Sequence, residues 1–213
     1  MRFNHILASL IFIATLVACG SQPAASGAGD LPGRRIRVTA TVGMITDIVK
    51  NVGGERVEVT GLMGPGVDPH LYKPSASDVT KLEKSDIIFY NGLELEGRMT
   101  DIFVKMARTG KPTVAVAEDI DESKLREPKE FEGKYDPHIW FDVTLWQDAV
   151  RKVNSELARL DPKSKELYQR NSDAYLKKLD ELHSYTQEQI ASIPAQSRVL
   201  ITAHDAFGYF GRQ

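Results

Sequence analysis

Two copies of the same short motif, Asp-Pro-His, lie far apart in the chain, at residues 68–70 and 136–138. A third histidine follows, so that the intervals between His70, His138 and His204 are 68 and 66 residues. Imidazole nitrogen is a common ligand of zinc, iron, manganese and copper. Because proline restricts its own backbone and that of the preceding residue, each motif is a stiff turn that can hold a ligand in place. These three histidines therefore predict most of one transition-metal site.

The aspartate of each motif, Asp68 or Asp136, has two roles open to it. It can cap the turn, or it can accept the hydrogen bond of the imidazole N–H and so fix the tautomer of the ring. Each histidine on its own is equally well explained as a residue that ends a strand or packs at the surface, and only the set of three favours a metal site. His5 and His183 are not assigned to the site, because the first lies in an apolar N-terminal segment and the second in a long charged helical pattern.

The overall composition argues against one class of partner. The formal net charge is −2, and the sequence has no basic run or basic face, which excludes nucleic acid as the expected partner. Hydrophobic residues make up 42% of the chain, an ordinary fraction for a globular protein. The part of the 213-residue chain beyond residue 30 is long enough for one large domain or two small ones.

The N-terminus has the composition of an export signal. Arg2 gives it a positive charge, and residues 6–18 are almost wholly apolar but too short for a comfortable transmembrane helix. Residues 16–19, Leu-Val-Ala-Cys, are similar to a bacterial lipobox, in which Cys19 is lipidated and becomes the new N-terminus. Since the sequence contains 1 cysteine, no disulfide can form within the mature chain. The alternative is an ordinary signal peptide with a chance cysteine at this position.

Short apolar, β-rich runs alternate with helical patterns along the rest of the chain. This alternation predicts an α/β fold with a parallel sheet and helices on its faces. The predicted strands are 36–41, 57–62, 86–90, 113–117 and 198–203, and the predicted helices are 44–52, 75–84, 97–108, 144–160 and 163–193. In such sheets ligands bind at the carboxyl ends of the strands, and His70 follows the second predicted strand.

The helix predicted at 163–193 is the longest element and contains no proline or glycine. At about 1.5 Å per residue it reaches roughly 45 Å, which is longer than a small domain is wide. It therefore predicts a rigid connection between two lobes, with a simple two-helix hairpin as the alternative. The predicted organisation is a signal peptide at 1–19 that ends at Cys19, a flexible tether at 20–33, an N-terminal α/β lobe at 34–160, a linking helix at 161–194, and the start of a truncated C-terminal α/β lobe at 195–213.

Taken together, these motifs resemble the metal-binding solute-receptor lipoproteins of bacterial zinc and manganese ABC importers, the TroA/ZnuA type. The resemblance covers essentially all of the chain from Cys19 onward. Its most specific stretches are Asp-Pro-His at 68–70 with Tyr72 and Pro74, Ser-Asp-Val at 77–79, Tyr-Asn-Gly-Leu at 90–93, Asp-Pro-His-Ile-Trp at 136–140 with Asp142, and His-Asp-Ala-Phe-Gly-Tyr-Phe at 204–210. The resemblance implies two lobes of parallel sheet with flanking helices, joined by one long rigid helix, with the metal between the lobes.

The resemblance also implies the residues of the site. The three early ligands of the family fall on His70 and His138 in the first lobe and on His204 in the second. The fourth ligand of the family is usually an acidic residue far into the second lobe, and no residue of this sequence is assigned to it. No catalytic residue is implied, because a closed shell of four ligands binds a metal ion and does not catalyse.

The expected function is that of an extracytoplasmic substrate-binding protein, a monomer held to a bacterial membrane by the lipid on Cys19 and facing the periplasm or the cell exterior. It captures a divalent transition metal as its transported ligand and delivers the ion to an ABC permease and its ATPase. Zinc is preferred because the site is rich in nitrogen. Manganese and iron stay open, because zinc-dedicated members of the family often carry a His-rich loop and the loop at 118–134 contains no histidine.

Two functions of other classes also stay open. In a zinc-dependent hydrolase, three histidines leave one coordination position for an activated water. The sequence has no His-Glu-x-x-His helix, and the best general-base candidate, Asp205, is better suited to cap or orient. A surface adhesin lipoprotein is the other alternative, although no residue specifies its partner.

Overall fold

The computed structural model describes residues 33–213 of the chain. The predicted signal peptide, with Cys19, and nearly all of the predicted tether lie outside the described residues. Within them, four strands form one sheet in the order β2-β1-β3-β4, and every neighbouring pair is parallel. The strands are β1 at Ile36–Ala40, β2 at Val57–Gly61, β3 at Ile87–Tyr90 and β4 at Thr113–Ala115. The predicted parallel sheet is confirmed, and each of these strands is slightly shorter than predicted.

Strand β3 is a continuous apolar run because both of its faces are covered, whereas β2 at the edge of the sheet is largely exposed. Ile87, Ile88 and Phe89 of β3 are all 0% exposed, and Ile36 and Val38 of β1 are buried as well. A strand that is buried on both faces has no polar side, which is why β3 is continuously hydrophobic in the sequence. Each such side chain stabilises the fold by about 1.5–3 kcal/mol when it leaves water.

Helices cover both faces of the sheet. They are α1 at Gly43–Gly53, α2 at Ala76–Lys84, α3 at Thr100–Arg108, α4 at Val143–Leu160 and α5 at Lys165–Ser192. Because crossovers between parallel strands are right-handed, α1 covers one face and α2 and α3 cover the other. Helix α1 packs against α4 and α5, so these three helices form one layer. The strand order changes direction between β1 and β3, and the carboxyl ends of the strands leave a crevice at such a point.

Helix α2 begins with a capping box. The Ser75 hydroxyl accepts a hydrogen bond from the Asp78 backbone N–H at 3.3 Å, and the Asp78 carboxylate accepts one from the Ser75 backbone N–H at 2.9 Å. Burial alone would raise the pKa of Asp78, but hydrogen bonds from Ser75 and Lys81 outweigh it and hold the pKa far below its usual range. The ionised carboxylate also accepts a hydrogen bond from the Tyr72 hydroxyl at 2.8 Å, which ties the loop that carries His70 to this helix.

The long helix predicted at 163–193 is continuous, and it packs against α4. The alternative of a simple two-helix hairpin therefore stays open. Helix α5 has 28 residues and is therefore about 42 Å long. Tyr168 and Leu179 belong to the buried core, whereas Leu182 and Tyr185 further along are 49% and 60% exposed. The connection of this helix to a second lobe stays a prediction. None of the helices within residues 33–213 is both long enough and apolar enough to cross a membrane.

The strand predicted at 198–203, directly before His204, is wrong. The structure has an irregular segment there, in which Val199, Leu200 and Ile201 are 75%, 58% and 89% exposed. The run has the composition of a strand, but a strand needs a neighbouring backbone to pair with its N–H and C=O groups. No strand in the described part of the chain lies beside this run.

Candidate metal centre

The three predicted histidines come together at one point. One ring nitrogen from each of His70, His138 and His204 lies within 4.8 Å of the other two. The Nε2 atom of His138 is 3.1 Å from Nε2 of His70 and 3.1 Å from Nε2 of His204. Two nitrogens that bind one zinc ion at about 2.0–2.1 Å in tetrahedral geometry are roughly 3.3–3.4 Å apart. The spacing of these nitrogens therefore fits a shared metal ion.

His138 is the most constrained of the three histidines. His138 and Asp136 are 2% and 1% exposed. The Oδ1 atom of Asp136 accepts hydrogen bonds from the His138 backbone N–H at 3.0 Å and from the His138 Nδ1 at 2.7 Å. Both roles that were open for this aspartate are filled by one oxygen atom. Because Nδ1 carries the hydrogen, Nε2 keeps its lone pair and faces the other two rings.

His70 lies in the loop between β2 and α2. The Oδ1 atom of Asp68 accepts a hydrogen bond from the His70 backbone N–H at 2.9 Å, so this aspartate caps the turn. Burial of the ring, and then the nearby His138, lower the pKa of His70. A lowered pKa keeps the imidazole neutral, which is the form that binds a metal ion.

His204 lies in a turn on the exposed segment after α5. Its ring centroid is 5.0 Å from that of His138 and 5.3 Å from that of His70. Its backbone C=O accepts hydrogen bonds from the Thr202 hydroxyl at 2.8 Å and from the Ala206 backbone N–H at 2.9 Å. A local turn therefore directs this third ring toward the other two, in place of the strand that the sequence predicted.

The chain matches the model of one known protein family. The family model described as ZnuA: Zinc-uptake complex component A periplasmic matches residues 38–213. The chain belongs to this family. The predicted resemblance to the TroA/ZnuA type is confirmed.

The curated relatives of this ZnuA-family chain are named for different metals. The manganese-binding lipoprotein MntA of Bacillus subtilis (strain 168) is 42% identical over 214 residues, which cover 100% of this chain and 68% of the relative. The zinc-binding protein TroA of Treponema pallidum (strain Nichols) is 47% identical over 196 residues, which cover 92% of this chain and 60% of the relative. The chain thus spans 60–68% of the length of these two relatives.

Solved structures of similar proteins share the fold. The periplasmic zinc binding protein TroA from Treponema pallidum matches with a TM-score of 0.80 at 46% identity, over 84% of this chain and 63% of that chain. Fe(III)-bound YtgA from Chlamydia trachomatis matches with a TM-score of 0.74 at 32% identity, over 84% of this chain and 62% of that chain. The parallel sheet with flanking helices and one long helix is therefore the TroA-like fold.

A buried polar network at the crevice between β1 and β3 supports the His138 turn, and the sequence pattern did not reveal it. The side-chain amide of Asn91 donates a hydrogen bond to the Pro137 carbonyl at 2.9 Å. The Glu96 carboxylate accepts hydrogen bonds from the Asn91 backbone N–H at 2.8 Å and from the Thr41 hydroxyl at 2.6 Å. Burial raises the pKa of Glu96. In this ZnuA-family chain, the residues that directly follow two neighbouring strands are thus tied to a turn that carries a candidate ligand.

The loop that follows β3 is strained where it borders the site. Leu93 and Glu94 have φ angles of 52° and 62°, and they follow Gly92 with a φ of 86°. A left-handed backbone at a residue other than glycine costs about 1–2 kcal/mol. Leu93 and Glu94 line the cavity that opens on His70 and His138. Strain of this size at a cavity next to a ligand cluster is common at functional sites.

The imidazole cluster opens on two cavities of about 430 Å³ and 440 Å³, each of which borders all three histidines. The apolar walls of the first are formed by Leu71, Leu93, Phe131, Tyr135 and Pro137. The apolar walls of the second are formed by Val67, Pro69, Trp140, Phe141, Ala206 and Phe207. An ion can therefore reach the nitrogens from solvent, while the apolar walls lower the local dielectric and strengthen its attraction to polar ligands.

The other residues considered in the sequence do not join the cluster. His183 lies on α5, and Asp205 follows His204 as an exposed residue; neither belongs to the group of three donors found within the described residues. His5 and Cys19 lie outside the described residues, so the lipidation of Cys19 stays a prediction.

Proposed function

We propose that this chain captures a divalent transition metal ion outside the cytoplasmic membrane, as the substrate-binding part of an ABC importer. The observation that carries the proposal is the cluster of three imidazole nitrogens within 4.8 Å of one another. Relatives named as a manganese-binding lipoprotein and a zinc-binding protein support an ion as the transported substrate. The relatives named as manganese ABC transporter substrate-binding lipoproteins support delivery to a permease.

Zinc is the preferred ion in this proposal. His70, His138 and His204 supply nitrogen donors, and a site of this kind binds zinc more tightly than iron or manganese. Manganese and iron stay in the proposal, because one relative is named for manganese and one structural neighbour is the Fe(III)-bound YtgA. The fourth ligand that the family resemblance implies is not assigned to any residue.

The site is better suited to hold an ion than to catalyse a reaction. Asp136 is almost completely buried and accepts two hydrogen bonds from His138, so its carboxylate is engaged and shielded from a reacting water. A zinc hydrolase needs a general base within hydrogen-bond reach of the water on the metal. Hydrolysis of a chromogenic ester by the zinc-loaded chain, abolished by a chelator, would contradict this part of the proposal.

The proposal also includes a membrane anchor on Cys19. The protein is then a monomer tethered to a bacterial membrane, facing the periplasm or the cell exterior, and it delivers the ion to an ABC permease and its ATPase. The alanine variant Cys19→Ala is expected in the soluble fraction with unchanged metal affinity, because the tether at 20–33 separates the anchor from the first strand. Retention of that variant in the membrane fraction would show that another part of the protein holds it there.

Equilibrium dialysis against zinc, manganese or iron, followed by elemental analysis, tests the metal site. We expect about one ion per chain, and replacement of His70, His138 and His204 together by alanine removes it. The single variant His138→Ala is expected to weaken binding by more than about 100-fold, since loss of a ligand exceeds the 10–100-fold effect of losing an outer-shell partner. His183→Ala is the matched control and leaves binding unchanged. Unchanged metal content in the triple variant would sink the proposal.

A further inference from the structure

The segment 204–213 contains one buried tyrosine, which hydrogen-bonds to the loop before the His138 turn. Tyr209 is 0% exposed, although the run before His204 is exposed. Its hydroxyl lies between two backbone groups of another part of the chain. It accepts a hydrogen bond from the Arg126 backbone N–H at 3.1 Å and donates one to the Asp136 carbonyl at 3.0 Å. Both hydrogen-bonding functions of the phenol are thus used within the protein.

Asp136 makes this contact relevant to the metal centre. Its carbonyl receives the Tyr209 hydroxyl, and its side chain holds the ring and the backbone of His138. Its backbone N–H donates to the Arg126 carbonyl at 2.8 Å. Tyr209 therefore binds the residue that orients one candidate ligand, while it lies in the same short segment as another, His204.

Charged and aromatic side chains also hold this segment against the rest of the fold. The Arg212 guanidinium lies 5.0 Å from the centroid of the Tyr209 ring and forms an ion pair with Asp142 at 2.6 Å. Asp142 also caps α4, the helix that follows the His138 turn. The ring of Phe207 packs on that of Phe141 with centroids 4.4 Å apart. These contacts hold the segment in one position without a β-ladder.

Gly208 shows how closely the segment approaches the loop beneath it. A Cβ atom at this position would lie 1.1 Å from the Nη1 atom of Arg126. The same Arg126 nitrogen is 3.6 Å from the Asp136 carboxylate. The glycine thus allows the guanidinium to stay next to the carboxylate that holds His138.

We infer that Tyr209 is a positioning residue of the metal centre, which sets the turn of His138 and the segment of His204 in one arrangement. The inference rests on the proposed function, because it concerns the same site. The phenol hydroxyl acts on the ligands through Asp136 and through the chain that leads back to His204, and it does not touch the ion itself. Its loss is expected to leave the fold in place and to loosen the geometry of the nitrogen donors.

The test compares two buried tyrosines in the 213-residue chain. Tyr209→Phe removes the hydroxyl beside the site. Tyr168→Phe removes one that donates to Asp161 at 3.0 Å, a carboxylate that also pairs with Arg56. Both residues are 0% exposed. Each variant is titrated with Co²⁺, and the visible d–d spectrum, the affinity and the urea midpoint are recorded.

Tyr209→Phe is expected to bind Co²⁺ about tenfold more weakly, the lower end of the range for residues that orient metal ligands, and to shift the visible spectrum. Tyr168→Phe is expected to lower the urea midpoint and to leave the spectrum and the affinity unchanged. Equal weakening of Co²⁺ binding in both variants would overturn the inference, because it would assign Tyr209 a general role in stability. Unchanged binding in Tyr209→Phe would overturn it as well.

Two further results keep the inference and the proposed function distinguishable. If the unsubstituted chain does not bind Co²⁺, the proposed function fails and the inference fails with it. If Tyr209→Phe does not fold by circular dichroism, the inference is overturned, because the hydroxyl would then support the whole fold and not the metal centre alone.

Discussion

Strand β3, inside the sheet, and the run Val199–Ile201 after α5 are both rich in β-branched and apolar residues, but their surroundings are opposite. Ile87 and Ile88 are 0% exposed in β3, whereas Leu200 and Ile201 are 58% and 89% exposed. Strand β3 has a parallel partner on each side, β1 and β4. The run after α5 has no such partner among the described residues. A β-rich composition therefore becomes a strand only where another backbone receives its hydrogen bonds.

The same contrast separates the candidate ligands. His70 and His138 lie on turns supported by helix caps and by a buried network at the ends of the strands. His204 depends on a local turn and on the side chains that follow it, above all Tyr209. The candidate site thus joins a rigid region to a segment that few backbone hydrogen bonds hold.

The largest expected difference between the two regions is the loss of unfolding free energy when an isoleucine is replaced by alanine. Ile88→Ala is expected to lower the free energy of unfolding by about 2–5 kcal/mol, because it leaves a cavity in the core. Ile201→Ala is expected to change it by less than about 0.5 kcal/mol, because the side chain is exposed. Urea denaturation of both variants measures the two values. Comparable losses would show that the run after α5 is packed in solution.

The run after α5 should also be cleaved by a protease much faster than the sheet. Trypsin is expected to cut after Arg198 at least about 100-fold faster than after Arg37, because the strand must open by roughly 3 kcal/mol first. The Arg37 side chain is 49% exposed, so access to the side chain is not the limit there. Mass spectrometry of timed digests gives the order of cleavage. Early cleavage after Arg37 would contradict the contrast between the regions.

Acid is expected to remove the metal before it unfolds the sheet region. Protons compete with the ion for imidazole nitrogen, and a free histidine titrates near about 6.5. Burial lowers the pKa of His70, so this ring stays neutral to a lower pH than free histidine. Metal content after dialysis should fall as the pH drops below about 6. Full retention at pH about 4.5, some two units below the reference value, would speak against ligands of this type.

The sheet region should weaken only in stronger acid. Burial alone would raise the pKa of Asp86, but hydrogen bonds from Arg34 and Arg37 outweigh it and lower the pKa to about 2. A lowered pKa stabilises the fold above the unfolded value of about 4, and this contribution is lost as the pH falls from there toward 2. Asp86→Asn should therefore be less stable than the parent chain at pH 5 and lose less stability on acidification. Parallel urea midpoints of the two proteins at all pH values would contradict this role of the carboxylate.

Local patterns in the sequence were enough to locate the candidate ligands and most of the elements. The Asp-Pro-His turns of His70 and His138 are short motifs with their stabilising aspartates inside them. The capping box of α2 is equally local, since Ser75 and Asp78 are three positions apart. Strand β3 was recognisable as an apolar run because both of its faces are buried.

Contacts between distant residues could not be predicted in this way. The Tyr209 hydroxyl bonds a carbonyl 73 residues earlier, and the Asn91 amide bonds one 46 residues later. No periodicity or spacing in a single sequence marks such pairs. The strand predicted at 198–203 failed for a related reason, because strand formation depends on a partner that composition does not specify.

The central claim is that His70, His138 and His204 bind one ion together. X-ray absorption at the zinc edge of the zinc-loaded chain measures the type, number and distance of the ligands directly. We expect imidazole scattering from three nitrogens at about 2.0–2.1 Å, and one imidazole fewer in His204→Ala. A spectrum with fewer than three imidazoles, or one that His204→Ala leaves unchanged, would contradict the claim.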